Sequence, residues 1–184
     1  EGKSGISPIF LFDDPSGLAT QFAGQVPDFD ATRWMTAPEV RRYDRFLHMA
    51  VAAGLEAVEH SGLVIDDSNA KRVGCIVGVG LGGMPSLEQT ISTRIATEKY
   101  RRVSPFFIPG LIANMAPGLL SIYTGARGEN WTATSACASA NHAFGAALRS
   151  IQAGACDAVI AGGAEAVVVP TTIAGFNAMK ALST

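Results

Sequence analysis

Residues 131–165 read WTATSACASANHAFGAALRSIQAGACDAVIAGGAE. A short β-prone run, Trp131 to Ser135, ends at Ala136-Cys137, and the small residues Ala138, Ser139 and Ala140 follow. Phe144, Ala147, Leu148 and Ile151 then recur at spacings of three and four, which predicts a helix. Gly154 stops it, and Ala158-Val-Ile-Ala161 predicts a buried strand ending in Gly162-Gly163. Cys137 therefore falls where a strand turns into a helix. Such a position suits a nucleophile, because a helix N-terminus carries partial positive charge and free N–H groups that favour a thiolate. Small neighbours leave room for a substrate, and backbone N–H groups there can stabilise an oxyanion. The alternative for a cysteine in an apolar setting is a small buried hydrophobe. Cys75 and Cys156, inside apolar runs without polar company, are read that way.

Composition narrows the class of protein. The 184 residues suffice for one domain with a sizeable core. Hydrophobic residues make up 48% and charged residues only 16%, an excess that points to a large buried interface. With 14 basic and 16 acidic residues the net charge is −2, so no basic field points to nucleic acid or an anionic membrane. Three cysteines without paired spacing argue against a disulfide framework and for a reducing compartment. No run of 18 apolar residues and no charged-then-apolar leader at Glu1 are present, and a cytoplasmic location is expected.

Upstream, residues 1–35 read as loop and short strand, with a turn at Asp13-Asp14-Pro15-Ser16-Gly17 and a strand near Phe22–Val26. Thr36-Ala-Pro-Glu39 is a capping box that opens one long helix. Val40, Tyr43, Phe46, Leu47, Ala50, Val51, Leu55 and Val58 mark its apolar face, and Gly62 ends it. Arg41, Arg42, Asp44 and Arg45 read as a solvated face, with an acidic protein partner as the alternative. His48 and His60 lack neighbours at metal-ligand spacing, and no metal site is expected.

Gly78, Gly80 and Gly83 satisfy G-x-G-x-x-G after a strand. A dinucleotide site would also need a following strand that ends in an acidic residue. Glu98-Lys-Tyr-Arg-Arg-Val103-Ser-Pro105 offers none, so these glycines are read as close backbone packing or a wall beside a ligand. Residues 105–124 are helix-like, apolar almost all round and interrupted by Pro109 and Pro117, the pattern of a buried helix. Gly125 closes it, and Arg127-Gly-Glu-Asn130 turns the chain into the Cys137 strand. After Val169-Pro170, a helix is predicted from Thr171 to Leu182.

Ser135-Ala-Cys-Ala-Ser139 resembles the active-cysteine motif of β-ketoacyl-[acyl-carrier-protein] synthases. So do the helix after it, the DAVIAGGAE strand and the AGFNAMKALST segment, together with GKSGIS at 2–7, GVGLGG at 78–83 and RRVSPFFIP at 101–109. The resemblance runs along residues 1–184 and is closest to the elongating type, synthase II ahead of synthase I.

It implies an α/β, thiolase-like fold of layered αβαβα form, of which this chain would be most of the first, nucleophile-bearing half. A first strand and a C-terminal half would lie outside 1–184, and the family's two catalytic histidines and associated lysine would lie beyond Thr184. Such a piece is not expected to fold alone. The resemblance implies a homodimer, acyl carrier protein as partner and no bound cofactor. It also implies a decarboxylative Claisen condensation of a Cys137 acyl-enzyme with malonyl-carrier-protein in fatty acid elongation. Cys137 would be the nucleophile and its N–H half of an oxyanion hole. Leu81 falls at a position that lines the acyl pocket in such enzymes, and Phe107 and Ile108 fall in the segment near the dimer interface and the pocket end, ordinary core packing being the alternative for all three. His142 matches a structural position and carries no expected catalytic role. Other readings are a polyketide ketosynthase domain, a thiolase-type acyltransferase, and a non-catalytic partner subunit of the chain-length-factor type.

Overall fold

The computed structural model describes residues 2–184; Glu1, where the leader reading begins, lies outside them. Residues up to Asp30 together with Val167–Thr184 form one compact unit, and Ala31–Ala166 form a second.

The second unit is built on three parallel strands: β3 (Val73–Gly78) at the centre, β4 (Asn130–Ala133) on one side and β5 (Ala158–Gly163) on the other. The register pairs Gly78 with both Ala133 and Gly163, so all three strands end level. Parallel neighbours require crossovers, and helices supply them. α3 (Met84–Thr97), α4 (Phe107–Leu111) and α5 (Met115–Thr124) lie between β3 and β4, and α6 (Ser139–Gln152) lies between β4 and β5.

Every residue of β3 is buried, as expected for a strand covered on both faces. Its side chains alternate between two cores. Val73, Cys75 and Val77, with Val79, pack against Phe46, Leu47, Ala50 and Val51 of α2 (Arg45–Ser61) and Ala116, Leu119 and Leu120 of α5. Ile76 packs against Ala143 and Ala147 of α6. Each fully buried side chain such as Phe46, Leu47, Ile76 or Leu120 contributes about 1.5–3 kcal/mol. At the strand starts, the Arg72 guanidinium donates to the Asp157 carboxylate and to the carbonyls of Gly154 and Ala155. Gly62, Gly125 and Gly154 adopt positive φ where the sequence ends its helices.

Several expectations need correction. The long helix from Thr36 is two helices, α1 (Ala37–Arg42) and α2. Its capping box forms, with the Thr36 N–H donating to Glu39 Oε2 at 2.8 Å. Tyr43 and Asp44 then turn extended, and Asp44 starts the second helix by accepting the Phe46 N–H. Asp44 is also not a solvated residue, being 3% exposed.

The apolar stretch 105–124 breaks at Ile112–Asn114, not at its prolines. Pro109 and Pro117 each occupy a helix's first turn, where a missing N–H costs nothing. Only part of the stretch is buried, since Ile122 is 75% exposed. β5 is half-buried rather than buried, because it is an edge strand pairing β3 alone.

α6 forms, but its bulky stripe does not face the sheet. Phe144, Leu148 and Ile151 are exposed, while Ser139, Ala143, Ala147 and Ser150 are buried. The cause is the closeness of α6 to the strands, described below, which admits only small side chains.

In the first unit, β1 (Ile6–Pro8) pairs antiparallel with β2 (Phe22–Gly24). Buried Gln25 braces this hairpin, accepting the Phe10 N–H and donating to the Pro8 carbonyl. α7 runs from Pro170 to Ala178, shorter than the expected helix to Leu182, because Lys180 turns to φ 55°. The Asn177 amide donates to Thr20 Oγ1 at 2.7 Å and accepts the Thr20 N–H at 3.2 Å, while the Thr20 hydroxyl donates to the Ser183 carbonyl.

Candidate active site

In open parallel sheets, ligands bind at the carboxyl ends of the strands. Three segments meet there in the second unit: Val79–Gly83 after β3, Thr134–Ala138 after β4 and Ala164–Glu165 after β5. Backbone bonds hold them together. The Val79 N–H donates to the Ala133 carbonyl and the Ala164 N–H to the Gly78 carbonyl, each at 3.0 Å.

Cys137 is exposed, on the short 3₁₀ turn Ala136–Ala138 that leads directly into α6. Ala136 has φ 52°, a left-handed conformation that costs a non-glycine residue energy and persists only where its surroundings enforce it. The surroundings are visible. Buried Ser139 accepts the Ser135 N–H at 2.9 Å and donates its hydroxyl to the Ala136 carbonyl at 2.7 Å. Ser135 Oγ lies 2.6 Å from His142 Nδ1, one turn further along α6. The result is a tight elbow with the Cys137 side chain presented outward at the positive end of the helix.

The elbow sits low over the sheet because two glycines make room. A methyl group on Gly78 would lie 2.3 Å from the Ser139 carbonyl carbon, and one on Gly163 would lie 2.6 Å from the Ala140 methyl. Close packing is thus one use of the glycines read from the sequence.

The other use concerns the G-x-G-x-x-G pattern. The N–H groups of Gly80, Leu81 and Gly82 converge on the Glu165 carboxylate at 2.8, 2.8 and 2.9 Å. Successive backbone N–H groups form a nest for an anion, and here the chain's own side chain fills it. Gly82 has φ 82°, which bends the loop into that shape. A methyl group on Gly80 would lie 3.7 Å from the Ala136 carbonyl, so the loop borders the Cys137 elbow.

Leu81 is half exposed at the tip of this loop. The loop continues to α4, where the Gly83 N–H donates to the Leu111 carbonyl at 3.1 Å. Phe107, part-buried, and Ile108, exposed, belong to α4. The backbone thus links the Leu81 loop both to the Cys137 elbow and to the helix of Phe107 and Ile108.

Cys75 and Cys156 are buried. Burial pushes the Cys75 thiol up to about 11, an inert group at neutral pH. No group of three His, Cys, Asp or Glu residues among the described residues could hold a metal. No helix among them is long and apolar enough to cross a membrane. Sequence reading missed Ser139, the Ser135–His142 pair and Glu165. For Glu165 a signal existed: an acid directly after β5 opposite a glycine loop directly after β3.

Residues 1–184 match the family model described as "Beta-ketoacyl synthase, N-terminal domain". The 3-oxoacyl-[acyl-carrier-protein] synthase 2 of Vibrio harveyi is 45% identical over 184 residues, covering 100% of this chain and 44% of the relative. The synthase 2 of Synechocystis is 44% identical over 183 residues, again 100% of this chain and 44% of the relative. This chain therefore spans less than half the length of these relatives. Among solved structures, the ishigamide ketosynthase/chain length factor superposes with a TM-score of 0.85 at 29% identity, covering 99% of this chain and 45% of the other. A β-ketoacyl synthase from Burkholderia phymatum gives 0.82 at 24% identity, covering 100% and 45%. The thiolase-like α/β fold is the fold of this chain. By a family match that runs its whole length, the chain belongs to the β-ketoacyl synthases, over their N-terminal domain.

Proposed function

We propose that this chain supplies the nucleophile of a decarboxylative condensing enzyme that elongates fatty acyl chains on acyl carrier protein. The observation that carries the reading is the exposed Cys137 on a left-handed elbow at the start of α6. The Cys137 thiolate attacks the acyl–carrier thioester, the carrier thiol leaves, and an acyl-cysteine forms. Malonyl-carrier-protein then loses carbon dioxide. The resulting carbanion attacks the acyl-cysteine carbonyl, and the Cys137 thiolate leaves. Sulfur serves both steps because it is a good nucleophile and a good leaving group. The Cys137 N–H is one donor to the tetrahedral oxyanion in this reading.

Leu81, Phe107 and Ile108 line the acyl pocket in this reading, supported by the backbone links between their segments and the elbow. Relatives named 3-oxoacyl-[acyl-carrier-protein] synthase 2 favour acyl carrier protein as partner. A solved neighbour described as a polyketide ketosynthase in complex with its acyl-carrier protein favours the same partner class. The working unit is a homodimer in the cytoplasm, as the resemblance implies. The domain boundaries are 1–184 for the nucleophile half.

The test uses the native polypeptide that carries this chain, incubated with acyl- and malonyl-carrier-protein. Mass spectrometry should find the acyl group on Cys137, and Cys137→Ala should abolish both the adduct and the condensed product. An adduct on Cys75 or Cys156 would sink the assignment. Leu81→Phe should shorten the longest acyl chain accepted; an unchanged preference removes Leu81 from the pocket. Polyketide elongation is the second reading, favoured by the neighbour whose ketosynthase is described with a type II PKS acyl-carrier protein. Repeated condensation on one carrier without reduction of the β-keto group would select it.

A further inference from the structure

From the three hydrogen bonds at the Leu81 loop we infer that Glu165 is a positioning residue that sets acyl-chain selectivity by locking that loop in one shape. The inference rests on the proposed reading of the pocket, and it concerns a residue to which that reading gives no role.

Glu165 uses both carboxylate oxygens. Oε2 accepts from Gly80 and Leu81, and Oε1 accepts from Gly82. A loop of G-x-G-L-G-G sequence has many accessible backbone conformations and would otherwise sample them freely. Three charge-assisted bonds to one carboxylate are enough to select one. The loop is also fixed at both flanks, by the Val79–Ala133 bond before it and the Gly83–Leu111 bond after it. Between those flanks, Glu165 is the one residue among the described residues whose side chain bonds the N–H groups of residues 80–82. Leu81, whose own N–H is held, therefore projects in a direction that Glu165 dictates.

The anchor and the nucleophile share a frame. Gly80 lies beside the Ala136 carbonyl, so a loop freed from Glu165 shifts the pocket wall relative to Cys137. The carboxylate also occupies the nest that would otherwise take an external anion, which removes nucleotide phosphate from the ligands this loop can bind.

The experiment compares Glu165→Ala and Glu165→Gln with the parent in the native polypeptide. It reads kcat/KM for acyl-carrier-protein substrates from short to long, with and without added formate. In Glu165→Ala the ratio of long-chain to short-chain kcat/KM should change at least tenfold. Formate, entering the vacated nest, should restore it in part. A merely structural role would lower all chain lengths in parallel and ignore formate, and that result overturns the inference. If Glu165→Ala does not fold, Glu165→Gln decides. Its amide offers one acceptor oxygen and places an N–H against an N–H, so the ratio should still shift about threefold. An unchanged ratio in a folded Glu165→Gln overturns the inference too. Hydrogen exchange at Gly80, Leu81 and Gly82 separates this from the functional reading. Those amides should exchange at least tenfold faster in a folded variant whether or not the parent condenses acyl chains. Unaltered exchange overturns the anchor, whereas an inactive parent with faster exchange in the variant overturns only the assigned activity.

Discussion

Ser135 Oγ lies 2.6 Å from His142 Nδ1, and this bond joins the residue that enters the Cys137 elbow to the first turns of the helix that leaves it. With Ser139 bonded to both Ser135 and Ala136, the elbow is closed on two sides. A left-handed alanine costs on the order of 1 kcal/mol, so something must hold it. His142→Ala removes one of these ties, about 1 kcal/mol of net stabilisation or roughly fivefold in a rate that depends on elbow geometry. Labelling of Cys137 by iodoacetamide should slow by that factor, and acyl transfer with it. His142→Asn, which can still meet the Ser135 hydroxyl, should recover part of the rate. Equal labelling in all three proteins would make the pair incidental.

The seat of that elbow is Gly78. A methyl group there would meet the Ser139 carbonyl carbon at 2.3 Å, a backbone contact that no rotamer relieves. Gly78→Ala should destabilise by about 1–3 kcal/mol through overpacking. It should also displace the start of α6, so Cys137 labelling should change as well as the melting temperature. Gly175→Ala, where an added methyl group meets nothing within 4 Å, is the control. A Gly78→Ala protein as stable as that control would mean that α6 does not sit where described.

Cys75 gives the chain a distinct alkaline response. Its thiol, ordinarily near 9.0, is pushed up to about 11 by burial in the core between β3 and α5. The folded protein then holds a proton that the unfolded chain releases first. Stability from this group is complete below about pH 9 and is lost as the pH rises through about 11. A gap of that size corresponds to about 2–3 kcal/mol. Urea midpoints measured from pH 8 to pH 11 should fall more steeply in the parent than in Cys75→Ala. Parallel slopes would show that Cys75 ionises equally in both states. Across the same range, folded protein should be alkylated at Cys137 and not at Cys75.

The parts of this fold legible in the sequence are those set by local pattern. β3, β4, α6, β5 and the glycine-terminated helix ends follow from apolar spacing and from φ demands that glycine meets cheaply. The position of Cys137 was legible for the same reason, since a strand-to-helix junction is a local feature. Contacts between distant segments were not legible. Glu165 meets Gly80–Gly82 across more than 80 residues, and an acid after one strand and a glycine loop after another read as a pair only once β5 and β3 are known to be neighbours. The spacing of Phe144, Leu148 and Ile151 marked the helix but not which way the stripe points. Hydrophobic periodicity marks the apolar face of a helix, but Gly78 and Gly163 decide which face can come close to the sheet. The acyl-pocket roles of Leu81, Phe107 and Ile108 came from resemblance, and the structure adds only that the backbone brings their segments together.

The break between α1 and α2 is the case in which one side chain overrules a periodic pattern. Val40, Tyr43, Phe46 and Leu47 continue a helical stripe across Asp44, so spacing alone runs the helix through. Asp44 instead takes one local partner and one distant one. Oδ1 accepts the Phe46 N–H at the start of α2, and Oδ2 accepts the Ser86 N–H at 2.9 Å and the Ser86 hydroxyl at 2.6 Å in the first turn of α3. One buried carboxylate thus meets the positive ends of two helices. Loss of a cap costs about 1 kcal/mol, and an orphaned buried donor costs about 1–3 kcal/mol more. Asp44→Ala should therefore lower stability by about 2–4 kcal/mol. Ser86→Ala, which removes only the hydroxyl bond, should cost about 1 kcal/mol. Because α3 follows directly from the Gly80–Gly83 loop, Asp44→Ala should also loosen Leu81. A double-mutant cycle between Asp44→Ala and Ser86→Ala should give a coupling of about 1 kcal/mol. Additive losses would mean that the two helices are started independently, and the stripe would then have been interrupted by Asp44 acting on α2 alone.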